Sequence, residues 1–194
     1  YGALPQKVAV VPCGVDTELF RPLNRRKSKE WLGLSDKPVI LFVGRLEPLK
    51  GVDLLLEAVA SLKLKGQVQL LIVGGRRGVH DYEMGRLYSL AQNLGLEDRV
   101  RFTGVVPQNS LPMYYNAADV CVLPSYYESF GLVALEAQAC GTPVIASHVG
   151  GLPSVVLDGV TGYLIARRCP ESFSESLNVV LGNRNMRESM GRAG

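Results

Sequence analysis

Residues 120–140 read Val-Cys-Val-Leu-Pro-Ser-Tyr-Tyr-Glu-Ser-Phe-Gly-Leu-Val-Ala-Leu-Glu-Ala-Gln-Ala-Cys, and the fold follows from this stretch. Four apolar residues, 120–123, stop at Pro124 and have the length and composition of a strand covered on both faces. A polar turn follows, and residues 131–140 then continue with the composition of a buried helix. From Leu132 to Cys140 every residue is apolar except Glu136 and Gln138, with Leu132 and Cys140 one turn either side of Glu136 on the same face. A buried carboxylate without hydrogen bonds costs roughly several kcal/mol, so Glu136 needs a protein partner, a route to water, or a ligand. Glu128, eight positions earlier, sits in the turn itself.

The same alternation extends outward from this unit. Strand-like runs occur at 39–43, 68–73, 100–102 and 144–146. Helical periodicity falls between them at 52–65, 82–94 and 110–117, and helices at 170–181 and 184–190 close the chain. Alternating strands and helices predict an α/β doubly wound parallel sheet, Rossmann-like, with right-handed crossovers and a ligand site at the carboxyl ends of the strands. Residues 21–29, polar and basic, are expected to form an exposed loop. With 194 residues, 47% of them hydrophobic, the chain is long enough to bury the core of one domain. Its charge of +3 is too mild to imply a nucleic-acid groove, and its apolar runs fall far short of the ~20 residues of a membrane span. The four cysteines lack a Cys-x-x-Cys pairing and read as free thiols of a reducing, cytoplasmic compartment, with neither zinc nor disulfides.

The strand ends carry the chemistry. After residue 43 comes Gly44-Arg45-Leu46-Glu47-Pro48-Leu49-Lys50-Gly51, which places two cations ahead of a helix N-terminus where the macrodipole disfavours them. An anion would resolve that conflict, with Arg45 able to grip a phosphate through two donors and Lys50 adding a point charge. The alternative pairs one cation with Glu47 and leaves the other solvated. Gly74-Gly75-Arg76-Arg77-Gly78 reads as a loose turn before a helix capped by Asp81. Pro107 keeps Val106 extended, so the backbone of Val106 can reach the edge of a flat heterocycle. The amides of Gly131, Leu132 and Val133 point out of a helix start and form a second anion site.

In this order and on these elements, the motifs resemble the donor-binding half of retaining GT-B glycosyltransferases of family 4. They are Arg45 and Lys50 in their glycine-flanked loop, Gly104-Val105-Val106-Pro107, the Glu128 to Glu136 stretch, Gly141-Thr142-Pro143-Val144-Ile145-Ala146, and Gly150-Gly151-Leu152-Pro153. The wording leans toward members related to sucrose-phosphate synthase and the mycothiol-pathway N-acetylglucosaminyl transferase. The resemblance implies a UDP-sugar donor such as UDP-glucose and a transferred hexose. In it, Gly44, Arg45 and Lys50 hold the diphosphate without a metal or other cofactor, and Val106 pairs with the base. Glu136 accepts the ribose hydroxyls, while Glu128, Ser129, Phe130, Gly131, Leu132 and Val133 orient the sugar and phosphates. Arg45, Lys50 and Glu128 are the catalytic candidates. The acceptor half, an N-terminal domain, is missing from the chain, and any peripheral membrane contact would run through it. The chain starts at Tyr1, with no Met, and enters a strand-like run at 8–11 almost at once, so it reads as a piece that is inactive by itself. His80 and His148 are expected in loops, with no catalytic role. A non-catalytic nucleotide-binding module and a GT-B sugar-nucleotide epimerase are the alternatives. A dehydrogenase is disfavoured by the absence of a Gly-x-Gly-x-x-Gly turn.

Overall fold

In a computed structural model, residues 11, 13–64, 67–75 and 82–194 are described. Six parallel strands form one sheet in the order β3-β2-β1-β4-β5-β6. They are β1 (Val39–Val43), β2 (Gln69–Val73), β3 (Val100–Gly104), β4 (Val120–Leu123), β5 (Val144–Ser147) and β6 (Gly162–Ile165). The helices are α1 (Arg25–Trp31), α2 (Val52–Ala60), α3 (Tyr82–Asn93), α4 (Leu111–Ala117), α5 (Leu132–Ala139), α6 (Leu152–Val155), α7 (Pro170–Gly182) and α8 (Arg184–Ala193). This is the doubly wound parallel sheet that the sequence predicts.

Every side chain of β1 is buried, because helices cover both faces of the sheet. Ile40 and Phe42 join Leu55, Val59, Leu87 and Phe173 of α2, α3 and α7 in one core. Val39, Leu41 and Val43 point the other way, into a core with Tyr115, Ala134 and Leu152 of α4, α5 and α6. The period of two along the strand thus divides the interior into two layers. β1 pairs with β2 on one side and β4 on the other, so the winding reverses between β1 and β4, where a doubly wound sheet opens a crevice at its carboxyl ends.

Two elements depart from expectation. Residues 21–29 do not form a single exposed loop. Asn24 caps α1 by accepting from the Lys27 amide at 3.0 Å, and Ser28 and Lys29 are buried. What orders this polar segment is remote in sequence. Asp119, 6% exposed at the amino end of β4, binds Arg25 at 2.8 Å and approaches Lys29 at 3.7 Å and Arg187 of α8 at 3.4 Å. Its other oxygen accepts the Val39 amide at 2.9 Å and anchors the start of β1. The second departure is that β6 and α6 lie in a stretch with no expected element. The helix expected over 52–65 ends as α2 at Ala60. Residues 8–10, Arg76, Arg77, Gly78, His80 and Asp81 lie outside the described residues. Cys121 and Cys140 are buried, Cys169 is partly covered and Cys13 is exposed, and all four are free thiols. Among the described residues no helix is long and apolar enough to cross a membrane.

Candidate functional site

Two loops meet at the reversal point. After β1 the chain turns through Pro48–Lys50 in a single 3-10 turn and reaches Gly51 with φ 67°. Only glycine suits that position, since the conformation is left-handed and a Cβ would collide with the carbonyl oxygen of Pro124 in the loop after β4. The two loops are also bonded directly, the Tyr126 amide donating to the Leu49 carbonyl at 2.8 Å. On the outer side the Arg168 guanidinium stacks over the Tyr126 ring, 3.7 Å from its centroid.

This locking brings Lys50 to Glu128. Nζ and Oε2 are 2.7 Å apart, and the side chains are only 20% and 18% exposed. Behind Glu128, its carbonyl oxygen accepts from the Gly151 amide at 3.0 Å, tying the turn to the start of α6. Gly131 then opens α5 with φ 102°, where a Cβ would come within 2.8 Å of Leu152. As at any helix start, the first amides of α5 have no partner within the helix. Between these groups lies a cavity of about 290 Å³. It is lined by Gly44, Arg45, Lys50, Glu128, Ser129, Phe130, Gly131, Leu132 and Val133, together with Phe42, Val43, Leu123 and Ser125.

Nine of the eleven expected site residues therefore share one cavity, and Val106 and Glu136 lie outside its wall. Val106 packs against the core beneath α4 and α5. Arg45 is paired with Glu47 at 2.9 Å and remains 73% exposed, the pairing that the alternative reading of the loop foresaw. That reading fails for Lys50, which is held by Glu128 rather than solvated. Leu132, expected on a buried face, is 47% exposed. His148 is exposed in the loop after β5.

The partner of Glu136 is a tyrosine. Tyr115 of α4 is fully buried and donates from Oη to Glu136 Oε2 at 2.6 Å. Burial pushes the Glu136 carboxyl above its ordinary range, and this hydrogen bond opposes the shift. Tyr115 was not foreseen. Only the need of Glu136 for a donor pointed to such a residue, and nothing local separates Tyr115 from its neighbour Tyr114. Ser125, likewise not foreseen, has a buried hydroxyl with no hydrogen-bond partner at the cavity wall. No group of three or more His, Cys, Asp or Glu suited to a metal ion occurs among the described residues. The arrangement can therefore hold an anion between a cationic loop and a helix start, next to a carboxylate that can orient neutral hydroxyls.

Residues 24–194 match the family model described as glycosyl transferases group 1. This chain belongs to that family. It is 46% identical over 192 residues to a D-inositol 3-phosphate glycosyltransferase of Geodermatophilus obscurus, covering 96% of this chain and 43% of that protein. Among solved structures, sucrose-phosphate synthase from Thermosynechococcus elongatus superposes with a TM-score of 0.86 at 40% identity, over 94% of this chain and 45% of that one. Anabaena HepE, solved in complex with UDP and glucose, superposes with a TM-score of 0.87 at 27% identity, over 99% and 52%. The chain spans about half the length of these relatives. Its fold is the Rossmann-like C-terminal half of the GT-B architecture, and the relatives do not favour the alternatives of a non-catalytic nucleotide-binding module or an epimerase.

Proposed function

We propose that this chain is the donor-binding half of a retaining, family 4 glycosyltransferase that takes a hexose from a UDP-sugar, with the acceptor held by an N-terminal domain outside this chain. The observation that carries the reading is the cavity at the β1/β4 reversal, where Lys50 and Glu128 meet beside the start of α5. A UDP complex of a similarly folded protein supports the choice of nucleotide. Gly44, Arg45, Lys50 and the amides of Gly131, Leu132 and Val133 would bind the diphosphate. Glu128, with Ser129 and Phe130, would orient the sugar. The Val106 backbone would meet the base and Glu136 the ribose.

In the reaction the bond from the anomeric carbon to the β-phosphate oxygen breaks while a bond to the acceptor oxygen forms on the same face. The acceptor proton passes to the departing phosphate. Arg45 and Lys50 offset the charge that grows on that phosphate, so positioning and fixed charge supply the rate. No divalent metal is required, because protein cations and a helix start already supply the positive field.

Calorimetric titration of the chain with UDP, with and without EDTA, tests the reading. Binding that is indifferent to EDTA is expected. Binding that vanishes on chelation would sink the metal-free diphosphate site, and no binding to any nucleoside diphosphate would sink the functional reading.

A further inference from the structure

The carboxylate assigned to the ribose has a companion. Tyr115 is held from three directions. Its ring lies edge-on to Phe20 with centroids 5.9 Å apart, its carbonyl oxygen accepts from Thr142 Oγ1 at 2.7 Å, and the side chain is sealed in the core. A phenol fixed in this way cannot swing to water, and its one donor goes to Glu136 Oε2. Among the described residues the surroundings that act on the Glu136 carboxyl are its burial and the Tyr115 hydrogen bond, with no Lys or Arg among them. Oε2 takes the Tyr115 proton, and among the described residues no side chain donates to Oε1. Glu136 also lies one turn beyond Leu132 and Val133, which line the cavity, so it continues the same helix away from the phosphate end of the site.

We propose that Tyr115 is a positioning residue of this site: its hydroxyl occupies one oxygen of Glu136 and so presents the other, as a charged acceptor, to the vicinal hydroxyls of a ribose. This deepens the nucleotide-sugar reading and rests on it. A phenol that needed only an acceptor would be served equally by a backbone carbonyl. A carboxylate there is half-buried with no cation among the described residues to offset it, an arrangement that costs stability and so points to a use for the charge. The other ionisable groups facing Glu136 are Cys121 and Cys140. Burial pushes both thiols upward, Cys140 to about 12, so they stay neutral and leave Tyr115 as the group that favours the charged carboxylate.

The test is Tyr115→Phe, which keeps the ring and removes one oxygen, titrated with UDP and with 2′,3′-dideoxyuridine diphosphate. UDP affinity is expected to fall about tenfold at pH 7, the usual scale for a hydrogen bond to a charged group. Affinity for the dideoxy ligand should change by less than about twofold, which also shows that the variant is folded. On acidification the variant should lose UDP affinity at a higher pH than the wild type, since removing a bond to the charged form lets Glu136 protonate earlier. Equal losses for the two ligands, or no loss for UDP, overturn the proposal while leaving the nucleotide site intact. A wild-type chain that binds no UDP overturns the functional reading and this proposal with it. Without any variant, the Tyr115 Cζ resonance should titrate in step with the Glu136 carboxyl carbon, and a Tyr115 signal blind to that titration overturns the proposal as well.

Discussion

Lys50 and Glu128 neutralise each other across the mouth of the cavity, 2.7 Å apart, with about four-fifths of each side chain covered. In the proposed function, a diphosphate that enters would share or take Lys50, and Glu128 would then be released to accept sugar hydroxyls. The two carboxylates should therefore respond differently to neutralisation. Glu128→Gln should weaken UDP-glucose by about 1–3 kcal/mol while UDP itself binds as well or better, because the freed lysine turns wholly to phosphate. Glu136→Gln should weaken both ligands by about the same 1–3 kcal/mol. Calorimetry on the two variants decides it, and equal losses of UDP in both would refute the division of labour.

The same substitution at Glu136 should act on stability in the opposite sense. Burial raises the carboxyl of Glu136 in the folded chain, so its ionisation above the unfolded value, near 4.3, works against folding. The favourable contribution is present below the unfolded pKa and is lost as pH rises through the folded one. Glu136→Gln removes this cost and should raise the melting temperature at pH 7, by about 1 kcal/mol of stability or about 2–4 °C. The gain should shrink to nothing below pH ~4. A variant less stable than the wild type at pH 7 would show that the Tyr115 bond outweighs desolvation.

What the sequence conveyed and what it concealed follow from how local each cause is. Residues 39–43 read as a strand because five consecutive apolar side chains need cover on both faces, and they have it. The cavity loops were legible through their glycines and cations. α1 was not, because its Arg-Arg-Lys-Ser-Lys-Glu-Trp carries no apolar stripe and its order comes from Asp119, more than ninety residues away. β6 is a four-residue strand at the sheet edge that begins with a glycine, too short for periodicity to mark it. The link from Glu136 to Tyr115 joins two helices in separate βα units, and no spacing rule connects them.

Asp119 offers a control at the opposite end of the sheet. Removing this nearly buried carboxylate would leave Arg25, Lys29 and Arg187 facing one another and the Val39 amide without its acceptor. Asp119→Ala should cost about 3–5 kcal/mol in urea unfolding, as for other broken buried pairs. Where the variant remains folded, UDP affinity should be unchanged, since Asp119 sits at the amino end of β4. A stable variant with weakened UDP binding would contradict this separation.

Gly131 joins fold and site at one position. Its positive φ strains any residue with a side chain, and a Cβ there would have to push aside Leu152 Cδ2, 2.8 Å away. Gly131→Ala should cost about 1–3 kcal/mol of stability and tilt the first turn of α5 away from the phosphates. UDP affinity should fall with it. Urea unfolding paired with calorimetry checks both effects, and an unperturbed affinity would mean that the amides of this turn do not hold the diphosphate.

The last expectation concerns turnover. Bringing an acceptor oxygen to within attack distance of the anomeric carbon accounts for roughly 7–11 kcal/mol of barrier lowering in well-oriented reactions. In the proposed reading, the described residues that line the 290 Å³ cavity are taken up by the diphosphate and the donor sugar, which leaves the acceptor to be held elsewhere. The chain alone should therefore bind donor and fail to transfer at a useful rate. Slow hydrolysis of UDP-glucose should persist, because in the proposed reading Arg45 and Lys50 would still stabilise the departing diphosphate while water stands in for the acceptor. Joined to an N-terminal domain of the kind its longer relatives have room for, the same chain should transfer. Radiolabelled UDP-glucose, incubated with the chain alone and with the two-domain protein over a panel of acceptors, separates the outcomes. Comparable transfer by the chain alone would place the acceptor on these 194 residues and overturn the division into two halves.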